Sequence, residues 1–470
     1  MSNNKICVIG LGNVGLDLAL ALSEKYATLG YDKSKTVVLN AKKSCKTKKI
    51  DNLKKGLFIT QNFRKINDCN IYIITVPTGV YKNNKPNLKN IYSATKLVAG
   101  VLSKGDIVIY ESTFYPGLTE EFCVPLIEKS SNYKLNIDFY VGYSPERINI
   151  GREERKTKDI IKITSGSSSY ANKVIDDLYK SIIDAGTYNV ESIKIAEAAK
   201  ILENCQRDLN IAMMNELSLI FKEQKIEINK VIQAAATKWN FLEVYPGLVG
   251  GDCIAVDPYY LIHKAKNINT DAKLISSARK INEGMVSLTY NSIEKIIKKE
   301  KLKNKFLFFG VAYKPETNQI KNSKYYEIFE MLSKKYDVTI ANEHTINDMF
   351  KDLDCNKFKD ISDTNYDKYE LIIIGCPNLK YKKLTFKPKS ERSYVIIDLH
   401  GINNSYDYKI FSTFTHNDDN QLVHIAANLR NDTNNRISGS FFSQGVNISI
   451  DHNFKNKKLK FKGNKVNYEV

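Results

Sequence analysis

The chain has 470 residues, 43% hydrophobic and 26% charged, with a formal net charge of +18. That balance excludes wholesale disorder, a collagen-like fibre and a small disulfide scaffold, and the length suits roughly three domains of about 150 residues. No apolar run approaches the ~18 residues of a membrane helix, so no membrane insertion is expected.

Residues 5–9 read as a short buried strand. Gly10-Leu-Gly12-Asn13-Val14-Gly15 follows, then a helical pattern from Leu16 to Tyr26, then a second strand, Ala27 to Tyr31, ending at Asp32. Strand, G-x-G-x-x-G, helix, strand and an acid about 20 residues on is the pattern of a dinucleotide-binding unit. Gly10 permits the tight turn, Gly12 lets a pyrophosphate approach the backbone, and Gly15 lets the helix pack on the sheet. The helix N-terminus then faces the phosphates. Asp32 accepts hydrogen bonds from the adenosine ribose and repels a 2′-phosphate, so the expected cofactor is NAD rather than NADP. These glycines and Asp17 also interrupt the apolar stretch Ile6–Leu22, which would otherwise have the hydropathy of a signal peptide; no cleavage site follows it.

Further apolar strands at 70–76, 106–110 and 138–143 alternate with helical stretches, which predicts a doubly wound parallel sheet. At the carboxyl ends of those strands, where such sheets bind ligands, stand Val76-Pro77-Thr78, Glu111-Ser112-Thr113 and Ser144-Pro-Glu146-Arg147. Helical patterning runs from Glu191 to about Lys225 and on to near Gly284, interrupted by a loop over residues 245–258. A second strand–helix alternation starts with 305–310, 337–341, 371–375 and 394–398. After Gly401 the chain turns rich in Asn and Ser, with period-2 stretches at 447–451 and 458–462. The predicted fold is therefore α/β: two Rossmann-like doubly wound domains joined by a helical connector, plus a small C-terminal extension. The expected segments are 1–190 for NAD, 191–285 for the connector with its loop, 286–402 for the second Rossmann-like domain, and 403–470, β-rich or partly disordered. The basic stretch from Lys455 to Lys465 reads as a solvated charge run.

None of the eight cysteines forms a C-x-x-C pair, so they read as scattered thiols of the cytoplasm and no metal is expected. Cys253 stands apart, behind Gly250-Gly251 and ahead of Asp257. A glycine pair lets a substrate carbon approach a thiol, whose thiolate adds to an aldehyde; the adduct can lose hydride to NAD and leave a thioester for water to hydrolyse. Taken alone, Cys253 reads first as a small buried hydrophobe, the usual fate of a free cysteine; the dinucleotide fold and the residues below turn the reading to a nucleophile. Lys200 and Asn204, spaced i, i+4, share one helix face, where a lysine can stabilise an oxyanion and an amide can orient it; the alternative is a solvated pair. The positive charge is spread along the chain without an aromatic-studded basic stripe, so nucleic acid is not an expected partner.

Taken together, these residues resemble the nucleotide-sugar dehydrogenases that oxidise C6 of a UDP- or GDP-sugar to a uronic acid. The likeness covers roughly residues 3–402 in one order, through Gly10-x-Gly12-x-x-Gly15, Asp32, Val76-Pro-Thr78, Glu111-Ser-Thr113, Ser144-Pro-Glu-Arg147, Ala196-Glu-Ala-Ala-Lys200-x-x-x-Asn204, Asn210-Ile-Ala, Asn215-Glu216, Gly250-Gly-x-Cys253-Ile-x-x-Asp257-Pro-Tyr-Tyr and Lys314-Pro-x-Thr317. Tyr110–Gly117, Val141–Asn149, Gln206–Asn210, Lys238–Leu242 and Pro246–Gly251 are most similar to the bacterial UDP-N-acetylglucosamine 6-dehydrogenases of surface-polysaccharide synthesis. UDP-N-acetylmannosamine and UDP-glucose are the alternative substrates.

The resemblance implies Cys253 as nucleophile, Lys200 and Asn204 on the substrate oxygen, Asp257 positioning or deprotonating a water, and Thr113 and Glu146 holding that water and the sugar. It implies a cofactor site of Gly10, Gly12, Asn13, Val14, Gly15, Asp32, Pro77, Thr78, Ser112, Thr113 and Lys321. For the UDP-sugar it implies Glu146, Arg147, Lys200, Asn204, Tyr245, Gly250, Gly251 and Lys314, with residues 286–402 binding the nucleotide and the connector forming a homodimer. Three positions depart from the pattern: Asp252 replaces the usual histidine before the nucleophile, Lys321 replaces an arginine, and Tyr245 stands where the N-acetylglucosamine branch often has arginine. A carboxylate beside Cys253 tends to raise the thiol pKa, and a lysine cannot clamp bidentately as arginine does. Two rivals of other classes are a silent nucleotide-sugar-binding protein and a scaffold acting through the residues after 402.

Overall fold

The computed structural model describes residues 4–47, 56–147, 157–317, 319–342, 358–360, 365–403 and 405–411, and five strands between 430 and 469. Chain contacts divide it into two compact units. One comprises Met1–Asn210, Val249–Glu283 and Glu316–Ser323; the other comprises Ile211–Leu248, Gly284–Pro315 and Lys324–Val470.

In the first unit the strands are β1 (Lys5–Ile9), β2 (Ala27–Tyr31), β3 (Leu57–Thr60), β4 (Ile71–Ile74), the hairpin β5 (Gly79–Val80) and β6 (Pro86–Asn87), β7 (Asp106–Tyr110), β8 (Phe139–Tyr143), β9 (Lys162–Gly166) and β10 (Thr187–Asn189). The helices between them are α1 (Asn13–Ser23), α2 (Lys35–Thr47), α3 (Lys89–Ala99), α4 (Val124–Ser131) and α5 (Ser169–Lys180). The sheet order β10-β9-β8-β7-β4-β1-β2-β3 contains the 3-2-1-4-5-6 arrangement of a dinucleotide-binding sheet. Its strands are parallel except at β8–β9, which pair antiparallel and add an edge to the doubly wound core.

Both faces of the sheet are covered, which explains why its strands are apolar without interruption. Ile6, Val8, Ile71, Ile73, Ile107 and Ile109 enter one core with α1 and α5. Their neighbours Cys7, Ile9, Tyr72, Ile74, Val108 and Tyr110 enter the other. A buried ion pair lies within this packing. The Lys162 ammonium donates to Glu111 Oε2 at 2.8 Å, and the Tyr179 hydroxyl donates to Glu111 Oε1.

The connector helices are α6 (Ile193–Glu223), α7 (Ile228–Ala236), α8 (Asp257–Asn267) and α9 (Lys273–Lys299). The sequence pattern ends the last of these near Gly284, but the helix continues to Lys299. A side chain at Gly284 would meet no atom within 4 Å, so this glycine has no packing role that would stop a helix.

The second unit holds β11 (Lys305–Phe309), α10 (Lys324–Ser333), β12 (Asp337–Asn342), β13 (Phe358–Asp360), β14 (Leu371–Ile374), α11 (Leu379–Lys382), β15 (Val395–Asp398) and β16 (Tyr408–Lys409). These six strands are all parallel, in the order β13-β12-β11-β14-β15-β16, so the 3-2-1-4-5-6 arrangement occurs a second time. The strands β17 (Arg430–Asn431), β18 (Arg436–Ser443), β19 (Val446–Asn453), β20 (Lys458–Lys462) and β21 (Asn467–Glu469) follow as an antiparallel meander. The period-2 stretches 447–451 and 458–462 fall inside β19 and β20. Residues 455–457 and 463–465 of the basic stretch, like Ile148, Asn149 and Cys355, lie outside the described residues.

Candidate functional site

The turn from β1 into α1 is built for close approach. Gly10 has φ +99°, a conformation that L side chains avoid. A Cβ at Gly15 would fall 1.8 Å from the Gly10 carbonyl oxygen, so helix and turn meet with no room for a side chain. A Cβ at Gly12, in contrast, would meet nothing within 4 Å, which leaves the outer side of the turn open. The N-terminus of α1 has no side-chain cap and no acidic residue in its first turn, so the N–H groups around Asn13 and Val14 are available to an anion. Asp32 Oδ2 accepts the Leu11 N–H at 2.9 Å and Oδ1 accepts the Ser34 N–H at 2.8 Å, which fixes the carboxylate beside the turn. These features fit NAD: an open, uncapped phosphate cradle with a carboxylate held at the ribose end.

Other expected cofactor residues sit at the strand ends. Pro77 is exposed and Thr78 half-buried after β4. The Ser112 hydroxyl is already used, donating to the Val76 carbonyl at 2.6 Å and tying the ends of β4 and β7 together. Lys321 is bound to Asp252, at 2.7 Å.

A second cluster gathers around the turn that leads into α8. The N–H groups of Val256 and Asp257 both donate to the Cys253 carbonyl, at 3.0 and 2.8 Å, so the nucleophile candidate sits on the turn that starts the helix. From α6, Asn204 Nδ2 donates to Asp257 Oδ2 at 2.5 Å, and Lys200 Nζ donates to the backbone carbonyl of Glu146 at 2.7 Å. Asp257, Asn204 and Lys200 are all buried, whereas Cys253 is exposed. Burial, opposed by the Lys200 charge and the Asn204 hydrogen bond, pushes the Asp257 carboxyl up to about 6. Crowding by protein and then the Asp257 carboxylate push the Cys253 thiol up to about 11. Lys200 pulls it down, and Glu146 and Asp252 add to the upward push.

Arg147 is engaged by the protein itself: Nη2 pairs with Glu203 at 2.6 Å and Nη1 donates to the Ile161 carbonyl at 2.8 Å. Thr113 is half-buried in the turn after β7. Gly251 has φ +82° and donates its N–H to the Asn322 carbonyl. Tyr245 and Lys314 belong to the second unit. There the Tyr245 phenol donates to Glu243, and burial raises its pKa. Nearby, Asn215 holds Gly247 at both ends, donating to its carbonyl at 3.0 Å and accepting its N–H at 2.8 Å.

Sequence reasoning missed Glu197. It is fully buried on α6 and accepts from the Gly117 N–H at 2.5 Å, the Thr119 N–H at 2.9 Å and the Thr119 hydroxyl at 2.7 Å. It thereby anchors the turn at Gly117 and Thr119, in the segment that follows β7. The available signal was its i, i+3 spacing to Lys200 on the same helix. The Glu203–Arg147 pair carries no such local signal.

Three family models match the chain: the NAD binding domain (residues 4–183), the central domain (194–284) and the UDP binding domain (307–405) of the UDP-glucose/GDP-mannose dehydrogenase family. A Pseudomonas aeruginosa UDP-N-acetyl-D-glucosamine 6-dehydrogenase is 42% identical over 348 residues, 72% of this chain and 82% of that protein. The Salmonella typhi enzyme of the same name is 43% identical over 338 residues, 70% and 80% of the two chains. The solved UDP-D-ManNAc dehydrogenase of Pyrococcus horikoshii superposes with a TM-score of 0.75 at 26% identity, over 86% of this chain and 98% of that one.

Proposed function

The chain belongs to the UDP-glucose/GDP-mannose dehydrogenase family, an NAD-dependent oxidoreductase family acting on nucleotide sugars, and from that premise we propose that it oxidises C6 of UDP-N-acetyl-D-glucosamine to the uronic acid. The observation that carries the reading is the cluster of Cys253, Lys200, Asn204 and Asp257. The choice of sugar is supported by the relatives of that name at 42% and 43% identity, against 33% for the Campylobacter jejuni UDP-N-acetyl-D-mannosamine dehydrogenase.

NAD, when bound, takes two electrons as hydride at each of the two oxidation levels. The remaining chemistry belongs to the protein. The Cys253 thiolate adds to the C6 aldehyde, forming a C–S bond and an oxyanion. Among the described residues Lys200 Nζ donates one hydrogen bond, to the Glu146 carbonyl, and its other N–H groups stabilise that oxyanion. After the second oxidation a thioester links C6 to Cys253. Asp257, held by Asn204 and ionised above about pH 6, takes a proton from the attacking water. The C–S bond breaks and the thiolate leaves. One sugar, two NAD⁺ and one water give the uronate, two NADH and three protons.

Thr113 and Glu146 would hold the water and sugar, Gly250 and Gly251 would admit C6 beside the thiol, and Tyr245, Arg147 and Lys314 would contact the UDP-sugar. The enzyme would act as a cytoplasmic homodimer through the connector helices. The test is NADH yield per sugar with UDP-N-acetylglucosamine, UDP-N-acetylmannosamine and UDP-glucose in parallel, with Cys253→Ser as control. Two NADH per UDP-N-acetylglucosamine, lost in the variant, is the expected result. Turnover of UDP-N-acetylmannosamine alone would replace the sugar, and binding of NAD and UDP-sugar without any NADH would favour a silent binder.

A further inference from the structure

Asp252 and Lys321 both depart from the pattern this chain resembles, and they meet. Lys321 Nζ lies 2.7 Å from Asp252 Oδ2, Asn322 Nδ2 donates to Asp252 Oδ1 at 2.7 Å, and the Gly251 N–H donates to the Asn322 carbonyl at 3.0 Å. Three bonds thus run from two consecutive residues, 321 and 322, to the two residues immediately before Cys253. Gly251 adopts φ +82° there, so the chain turns sharply at the point where it is held.

The division of the carboxylate explains the residue types. A lysine ammonium is a point charge that occupies one oxygen and leaves the other to the Asn322 amide. An arginine fork would compete for both oxygens. An acid at 252 and a lysine at 321 are therefore complementary substitutions. Each departure read singly suggests a defect, while together the two residues make a contact. Both side chains are exposed, at 44% for Asp252 and 68% for Lys321, so the ion pair alone is worth a few-fold at most. The backbone bond at Gly251 and the Asn322 amide give it geometric definition.

We propose that Asp252, Lys321 and Asn322 form a latch that positions the Cys253 turn, with Lys321 acting through Asp252 rather than on cofactor or substrate. The inference rests on Cys253 being the nucleophile. The latch has an electrostatic side as well. The charged groups facing the thiol are Asp257, Lys200, Glu146 and Asp252. Asp252 is the one whose charge Lys321 offsets, so releasing Lys321 leaves an uncompensated anion beside the thiolate.

The test is a double-mutant cycle on the full-length enzyme with Lys321→Met, Asp252→Asn and the double variant. Two readouts are taken: the iodoacetamide rate at the Cys253 peptide, followed by mass spectrometry across pH, and kcat and KM for both substrates. Lys321→Met is expected to slow alkylation at pH 8 about two- to five-fold and to lower kcat with both KM values unchanged. Asp252→Asn is expected to speed alkylation, and in its background Lys321→Met has no further effect. Equal effects of Lys321→Met in both backgrounds, or a raised KM for NAD or UDP-sugar with unchanged alkylation, overturn the latch. Full turnover by Cys253→Ser would instead sink the nucleophile reading, and the alkylation cycle would still report on the latch.

Discussion

Asp257→Asn is expected to stabilise the protein while abolishing acid formation. The carboxyl is buried and its pKa is pushed up to about 6 in the fold, from an ordinary 3.8. A raised folded pKa means that the fold prefers the neutral acid. Stability therefore increases as pH falls from above 6 towards 3.8, and the buried anion costs most above pH 6. A shift of about 2 units corresponds to about 3 kcal/mol at pH 8 and about half of that at pH 5. Asparagine keeps the oxygen that accepts from Asn204 and removes the charge. Urea unfolding of wild type and variant, at pH 8 and pH 5, measures both values. The same substitution removes the second-largest upward push on Cys253, so alkylation at pH 8 should accelerate while the thioester persists unhydrolysed. A variant less stable than wild type at pH 8, or one with the same gain at both pH values, would refute the argument. Asp257 would then be a structural acceptor, not a strained anion kept for its chemistry.

Three further expectations concern other parts of the molecule. Lys200→Met should lower kcat about 10²- to 10³-fold, as the loss of an oxyanion donor does, and should slow Cys253 alkylation because a cation that favours the thiolate is gone; steady-state kinetics and the alkylation rate check this. Gly15→Ala should abolish NAD binding by calorimetry, since its methyl would sit 1.8 Å from the Gly10 oxygen, and near-normal NAD affinity would contradict the close approach. Lys162→Met should cost about 3–5 kcal/mol in urea unfolding by leaving Glu111 buried without its cation.

Much of the architecture was legible because the local signals agree with one another. β1, β2 and β7 coincide with the runs read from the sequence, since strands covered on both faces are unbroken apolar stretches bounded by turn residues. Helix α1 begins at Asn13 rather than Leu16 because the backbone of Gly12 already serves as its N-cap. The antiparallel pairing of β8 with β9 was not legible: strand direction depends on the path of the intervening chain, which apolar periodicity does not record. The same limit applies at the site. Lys200 and Asn204 share a helix face and can be read from spacing. The partners of Arg147, Glu197 and Asp252 lie 56, 80 and 69 residues away in sequence, and only folding brings them together.

The bond from Lys200 to residue 146 is made to the main chain, not to a side chain. Under the proposed function, position 146 therefore has two duties. Its carbonyl fixes the ammonium whatever side chain is present, while its side chain is exchangeable without displacing the lysine. In the proposed site, variation at 146 would change how the water and the sugar are held while Lys200 stays in place, so its effects on sugar choice and thioester hydrolysis separate from oxyanion stabilisation.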